Sequence, residues 1–147
     1  MKPPEEARRD LVLRWREKAE KDFGLEQHLV AEGCAYREAV AFHSQQAAEK
    51  LLKAFLVFHQ IDFPKTHNLG ELLTRVASCD PVLATSLRDI TALNPYGIEY
   101  RYPSDFPDLT HEDAEGAFRL AETVWKAIAP GIAPDPGYTS WPAPHGT

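Results

Sequence analysis

The stretch from Tyr36 to Gln60, YREAVAFHSQQAAEKLLKAFLVFHQ, sets His43, Gln46, Lys50 and Lys53 at spacings of three, four and three. A helix turning about 100° per residue gathers these four side chains onto an arc of about 80°. Two ammonium groups on such an arc supply charge for a phosphate. An imidazole and an amide beside them supply adaptable hydrogen bonds. The plainer alternative is the solvated face of a helix that is apolar elsewhere. Asp22 adds weight to a groove. It falls among the packing positions of the preceding segment, where a carboxylate must find a partner or become neutral. Lys50, Lys53 or Arg101 could provide that partner, and a structural ion pair between the two segments would use the same contact.

Arg101 lies between Tyr100 and Tyr102 in NPYGIEYRYPSDFPDL. A guanidinium grips phosphate through two parallel hydrogen bonds, and a tyrosine offers a face on which a base can stack. The alternative is an arginine that pins this loop to the body through Glu49 or Asp22. Lys65 and His67 lie at the start of a third helical segment, whose free amides favour anions. The expected ligand-binding set is therefore Asp22, His43, Gln46, Lys50, Lys53, Lys65, Arg101 and Tyr102. His43 and Arg101 are the catalytic candidates.

Other chemistries find little support. There is no ExxH or HExxH pair, and Cys34 and Cys79 form no CxxC, so no metal site is expected. No glycine-rich phosphate loop and no GxSxG turn is present, so no cofactor is expected either.

Five helical segments position these residues, and no segment alternates as a half-buried strand would. The first spans about Pro4 to Ala31, with Leu11, Trp15, Ala19, Leu25 and Leu29 as its packing stripe and Gly33 as its stop. The second spans about Ala35 to Gln60 and is apolar over most of its girth, which predicts a central position. Pro64 breaks the chain and Thr66 is expected to cap a third helix over about His67 to Ser78. Asp80 and Pro81 open a fourth, with Leu83, Leu87, Ile90 and Leu93 on its inner side. Four prolines and glycines in the aromatic stretch that follows argue against regular helix there. The fifth begins at Thr110, with Asp113 three residues on, in the manner of a capping box. The expectation is an all-α, up-and-down bundle of four main helices plus one shorter helix over residues 1–132, followed by a Pro/Gly-rich tail over 133–147.

Bulk composition bounds the function. A chain of 147 residues suits one domain. The net charge of −6 argues against a protein that coats nucleic acid without specificity, yet permits a local basic groove. No apolar run reaches the roughly 18–20 residues of a membrane span, and the charged start MKPPEEARRD lacks a signal core, so a cytoplasmic location is expected.

Taken in order, several motifs resemble those of the HEPN domain family (higher eukaryotes and prokaryotes nucleotide-binding domain). They are Trp15…Ala19-x-x-Asp22, Phe42-His43-x-Gln45-Gln46-x-x-Glu49-Lys50-x-x-Lys53-Ala54, Pro64-Lys65-Thr66-His67-Asn68-Leu69 and Glu99-x-Arg101-Tyr102-Pro103. The likeness covers about residues 10–128. It implies a four-helix bundle, often a symmetric homodimer, that frequently accompanies a small nucleotidyltransferase in toxin–antitoxin-like pairs. Some members are metal-independent endoribonucleases with an Arg, four to six residues, then His. Arg37 and His43 have five residues between them, but on one helix they project about 120° apart. Arg101 and His111 have nine between them, which is too many.

Three expectations follow. The first is a nucleotide- or RNA-binding and interaction module paired with a nucleotidyltransferase. The second is an endoribonuclease toxin using His43 with Arg101 or Arg37. The third is a purely structural dimer subunit.

Overall fold

The computed structural model describes residues 4–33, 36–98 and 108–132. These residues form helices and turns, and no strand occurs among them. The helices are α1 (Pro4–Ala31), α2 (Arg37–Phe58), α3 (Leu69–Ala77), α4 (Pro81–Ser86), α5 (Asn94–Ile98) and α6 (His111–Ile128). Single 3₁₀ stretches, Arg88–Leu93 and Ala129–Ile132, precede α5 and follow α6. The all-α bundle expected from periodicity is the observed architecture.

The α1 helix starts with Pro4 and carries Glu5 and Glu6 in its first turn, where a missing N–H costs nothing and negative charge meets the positive helix end. It runs through Gly24 and stops at Gly33, which takes φ 89°. Its buried line differs from the expected stripe. Val12, Arg16, Ala19, Asp22, Phe23, Glu26 and Leu29 are inside, while Leu11 and Leu25 are 44% and 42% exposed. The cause is physical: three ionisable residues hold inner positions. Counting only apolar residues therefore selects the neighbours of Val12 and Glu26, about 100° away around the axis.

The α2 helix is buried on almost every side, with α1 along one flank, α6 along another, and α3 and α5 in contact as well. Ala41, Ala47, Ala48 and Ala54 are essentially inaccessible, and these short side chains let the neighbours approach closely. Leu51, Leu52 and Leu56 fill the centre. Phe23 of α1 meets Phe118 and Trp125 of α6, with ring centroids 5.2 and 5.8 Å apart. Arg16 lies over the Trp125 ring at 5.7 Å, so a buried cation also ties α1 to α6.

Two local expectations are corrected. The third helix begins at Leu69, capped by Asn68 rather than Thr66: Glu71 N–H donates to Asn68 Oδ1 at 3.2 Å, and Thr66 instead accepts from Asn68 N–H at 3.0 Å. The fourth helix breaks after one and a half turns. Thr85 and Ser86 donate back to the carbonyls of Pro81 and Leu83, at 2.9 and 2.7 Å. Leu87 N–H is shared between Leu83 and Ala84, which tightens the chain into the 3₁₀ stretch.

The prolines of the aromatic stretch do not prevent helix at its start. Asn94–Ile98 is the short α5, and Pro95 sits in its first turn, where no intrahelical donor is needed. A side chain added at Gly97 would stand 3.0 Å from the Gln45 amide, so a larger residue there would have to displace that buried amide by a few tenths of an ångström.

The capping box of α6 is complete. Asp113 N–H donates to Thr110 Oγ1 at 3.0 Å, and Thr110 N–H donates to Asp113 Oδ2 at 2.9 Å. We expect Thr110→Ala to lower unfolding free energy by about 1 kcal/mol in urea titrations, with no change in the slope of the transition. An unchanged midpoint would show that α6 is held by packing alone.

Candidate functional site

Two polar clusters flank α2. The first lies in the seam with α1. Asp22 is 8% exposed, and its carboxylate accepts from His43 Nδ1 at 2.7 Å and pairs with Lys50 Nζ. His43 and Lys50 are themselves part-exposed at 24% and 20%, so the imidazole and the ammonium stand at an accessible rim. With Nδ1–H facing the carboxylate, the imidazole tautomer is set, and Nε2 has no partner among the described residues.

One turn further along α1, Glu26 is fully buried. Burial pushes its carboxyl well above the usual 4.5, the nearby Asp22 and Glu122 carboxylates push the same way, and the Ser44 hydrogen bond opposes them. The geometry points in the same direction. Ser44 Oγ contacts both the Glu26 carboxyl and the Val40 carbonyl, the latter at 2.7 Å. A hydroxyl has one proton. Here it is shared between the Glu26 carboxyl and the Val40 carbonyl, so Ser44 offsets only part of the effect of burial on Glu26. The other Glu26 oxygen, Oε1, has no hydrogen-bond partner among the described residues, which a neutral acid tolerates far better than a carboxylate.

The second cluster centres on Glu49, 3% exposed. It receives Lys53 Nζ at 3.1 Å, His67 Nδ1 at 3.0 Å and Gln45 Nε2 at 3.2 Å. Gln45 also donates to the His67 carbonyl at 3.2 Å and accepts from Gln46 Nε2 at 2.6 Å. Lys53 lies 5.3 Å from the centroid of Trp15. Its ammonium is therefore directed into the protein.

The expected site residues divide accordingly. Asp22, His43 and Lys50 converge. Gln46 joins the Gln45 amide, Lys53 is buried on Glu49, and Lys65 borders a cleft on the α3 and α5 side of α2. Arg101 and Tyr102, like the tail 133–147, lie outside the described residues. Arg37 does not join His43: it donates to the Leu109 carbonyl at 3.0 Å and fastens the start of α2 to the approach to α6. Sequence reasoning had not selected Gln45, Glu49, Ser44 or Glu26. Gln45, Glu49 and Lys53 recur every fourth residue on an otherwise apolar helix, and that ladder was the available signal. Glu26 and Ser44 carried none, since they pair only once α1 lies against α2.

Among the described residues, no group of three His, Cys, Asp or Glu side chains could hold a metal ion. No helix among them is long and apolar enough to cross a membrane.

Comparison with known proteins matches the HEPN domain family over residues 12–131. The crystal structure of an archaeal HEPN homologue is similar to this chain, with a TM-score of 0.64 and 26% sequence identity, over 83% of this chain and 98% of that one. A search of curated proteins finds no match.

The protonated Glu26 has a signed consequence. The folded state holds this proton to higher pH than the unfolded chain does, so stability falls as pH rises above 4.5, until the folded-state carboxyl ionises. We expect Glu26→Gln to remove that decline. The stability difference, variant minus native, should grow with pH by up to about 1.4 kcal/mol per unit across this window. Parallel urea titrations from acid to neutral pH measure it, and parallel native and variant curves would contradict the assignment.

Proposed function

Because the chain belongs to the HEPN domain family, we propose that it is a nucleotide- or RNA-binding and interaction module, dimeric and paired with a nucleotidyltransferase in a toxin–antitoxin-like system. The observation that carries this reading is the meeting of Asp22, His43 and Lys50 at the accessible seam between α1 and α2. Asp22 holds both side chains in place, which lowers the entropy lost when they grip a ligand. Lys50 offers its remaining N–H donors to a phosphate, and His43 Nε2 offers one adaptable hydrogen bond. Arg101 and Tyr102 belong to the same proposal as a second phosphate grip and a stacking face. Isothermal titration with ATP, GTP and a short RNA tests it. At least one should bind, and Lys50→Ala and Arg101→Ala should each weaken binding roughly tenfold, the loss of one charge-assisted contact. Absence of heat with all three ligands removes the reading.

A metal-independent endoribonuclease is the second reading, favoured by one feature: Asp22 orients His43 as a carboxylate orients a general base. Nε2 would then take or return the proton of a ribose hydroxyl. On this reading RNA is cut in the presence of EDTA, and both His43→Ala and Asp22→Asn abolish cutting. RNA left intact by the native protein after prolonged incubation excludes it.

A further inference from the structure

On the side of α2 occupied by α3 and α5 lies an open cleft of about 470 Å³, bordered by Gln45, Lys65, His67, Asn68, Asn94 and Gly97 among others. We propose that this cleft is a second, separate binding site, and that it takes a phosphate monoester. The proposal goes beyond the seam between α1 and α2 and does not depend on it.

The walls are rich in donors. Lys65 brings a full positive charge, Asn68 and Asn94 bring amides, and no carboxylate is among the bordering residues that the structure describes. The first amides of α3 are already occupied: Leu69 N–H donates to Asn94 Oδ1 at 2.8 Å and Glu71 N–H to Asn68 Oδ1 at 3.2 Å. Recognition therefore rests on side chains rather than on the helix end. The volume lies within the range of small-molecule sites.

His67 narrows the ligand class. Its Nδ1 is fixed on buried Glu49 at 3.0 Å, which is in turn held by Lys53 and Gln45. The ring is thus a second imidazole set by a carboxylate, and it borders the cleft with Nε2 unpartnered among the described residues. A phosphate monoester has its second ionisation near pH 6. It can accept from an imidazolium as the dianion, or donate its own proton to bare Nε2 as the monoanion. A phosphodiester has no such proton and about half the charge. The match between an adaptable nitrogen, an ammonium and a ligand that titrates near neutrality is what favours the monoester.

The test is residue-resolved. Isotopically labelled full-length protein is titrated with inorganic phosphate, with chloride at equal ionic strength as control, while histidine ring and asparagine amide signals are followed by NMR. We expect phosphate to move the His67, Asn68 and Asn94 signals, and Lys65→Ala and His67→Gln each to weaken that response roughly tenfold. Lys65 is exposed and borders the cleft with no ion pair among the described residues, so Lys65→Ala should keep the native melting curve, whereas His67→Gln gives up a contact with buried Glu49 and should melt lower. Signals moving at the His43 ring instead would speak for the other seam alone and overturn this proposal. So would an equal response to chloride, or a response indifferent to Lys65→Ala.

AMP and paired oligoribonucleotides, 5′-phosphorylated and 5′-hydroxyl, then separate the sources. Binding of AMP identifies a mononucleotide site, and preference for the 5′-phosphorylated strand identifies an RNA end. Equal binding of both strands with none of AMP would mean diester recognition and would refute the monoester.

Discussion

A carboxylate sealed inside a protein must be met by donors or give up its charge. Among the described residues three buried carboxylates lie on or against the central helix, and each is resolved differently. Glu49 is surrounded by an ammonium, an imidazole and an amide. Asp22 takes an imidazole and an ammonium at a rim that water can reach. Glu26, with a single hydroxyl for company, keeps its proton. Stripping one partner from a buried pair costs about 3–5 kcal/mol, a large part of the 5–15 kcal/mol that holds a typical domain together. The polar residues of α2 are therefore fixed in identity by folding as much as by any ligand.

The same constraint prepares chemistry. A histidine whose Nδ1 faces a carboxylate has one tautomer and one orientation, and it presents the opposite nitrogen. The helix does this on two of its sides, with His43 against Asp22 and His67 against Glu49. Between them runs a short relay of amides, from Gln46 to Gln45 to Glu49. Neither imidazole needs reorganisation before it meets a ligand, since packing has already fixed its orientation.

Much of this was legible in the residues alone. The long helices, the stop of α1 at Gly33, the Asp80–Pro81 start and the Thr110 capping box all depend on local chemistry that spacing reveals, whereas α2 stops at Phe58, ahead of Pro64, in a turn where Gln60 takes φ 59°. The need of Asp22 for a cation was legible as well, because a carboxylate on a packing face announces it, although Lys50, Lys53 and Arg101 were equal candidates until the fold brought Lys50 to it. The inner face of α1 was misjudged by one position, because Arg16 and Glu26 took places that hydropathy reserves for leucine. Lys53 read as a member of the exposed arc. It is buried, because Glu49 lies one turn before it and Trp15 covers it from α1, and the latter contact exists only after the helices dock. The break after α4 was equally hidden, since shared backbone donors have no sequence pattern.

The alanines of α2 carry a separate implication. Ala41, Ala47, Ala48 and Ala54 set how near the surrounding helices can come, and each has essentially no free space around its methyl group. A larger residue at any of them would wedge two helices apart, at a cost of about 1–3 kcal/mol. Enlarging substitutions are therefore tolerated on the outer surfaces and not along this axis, where the spacing of the scaffold is set.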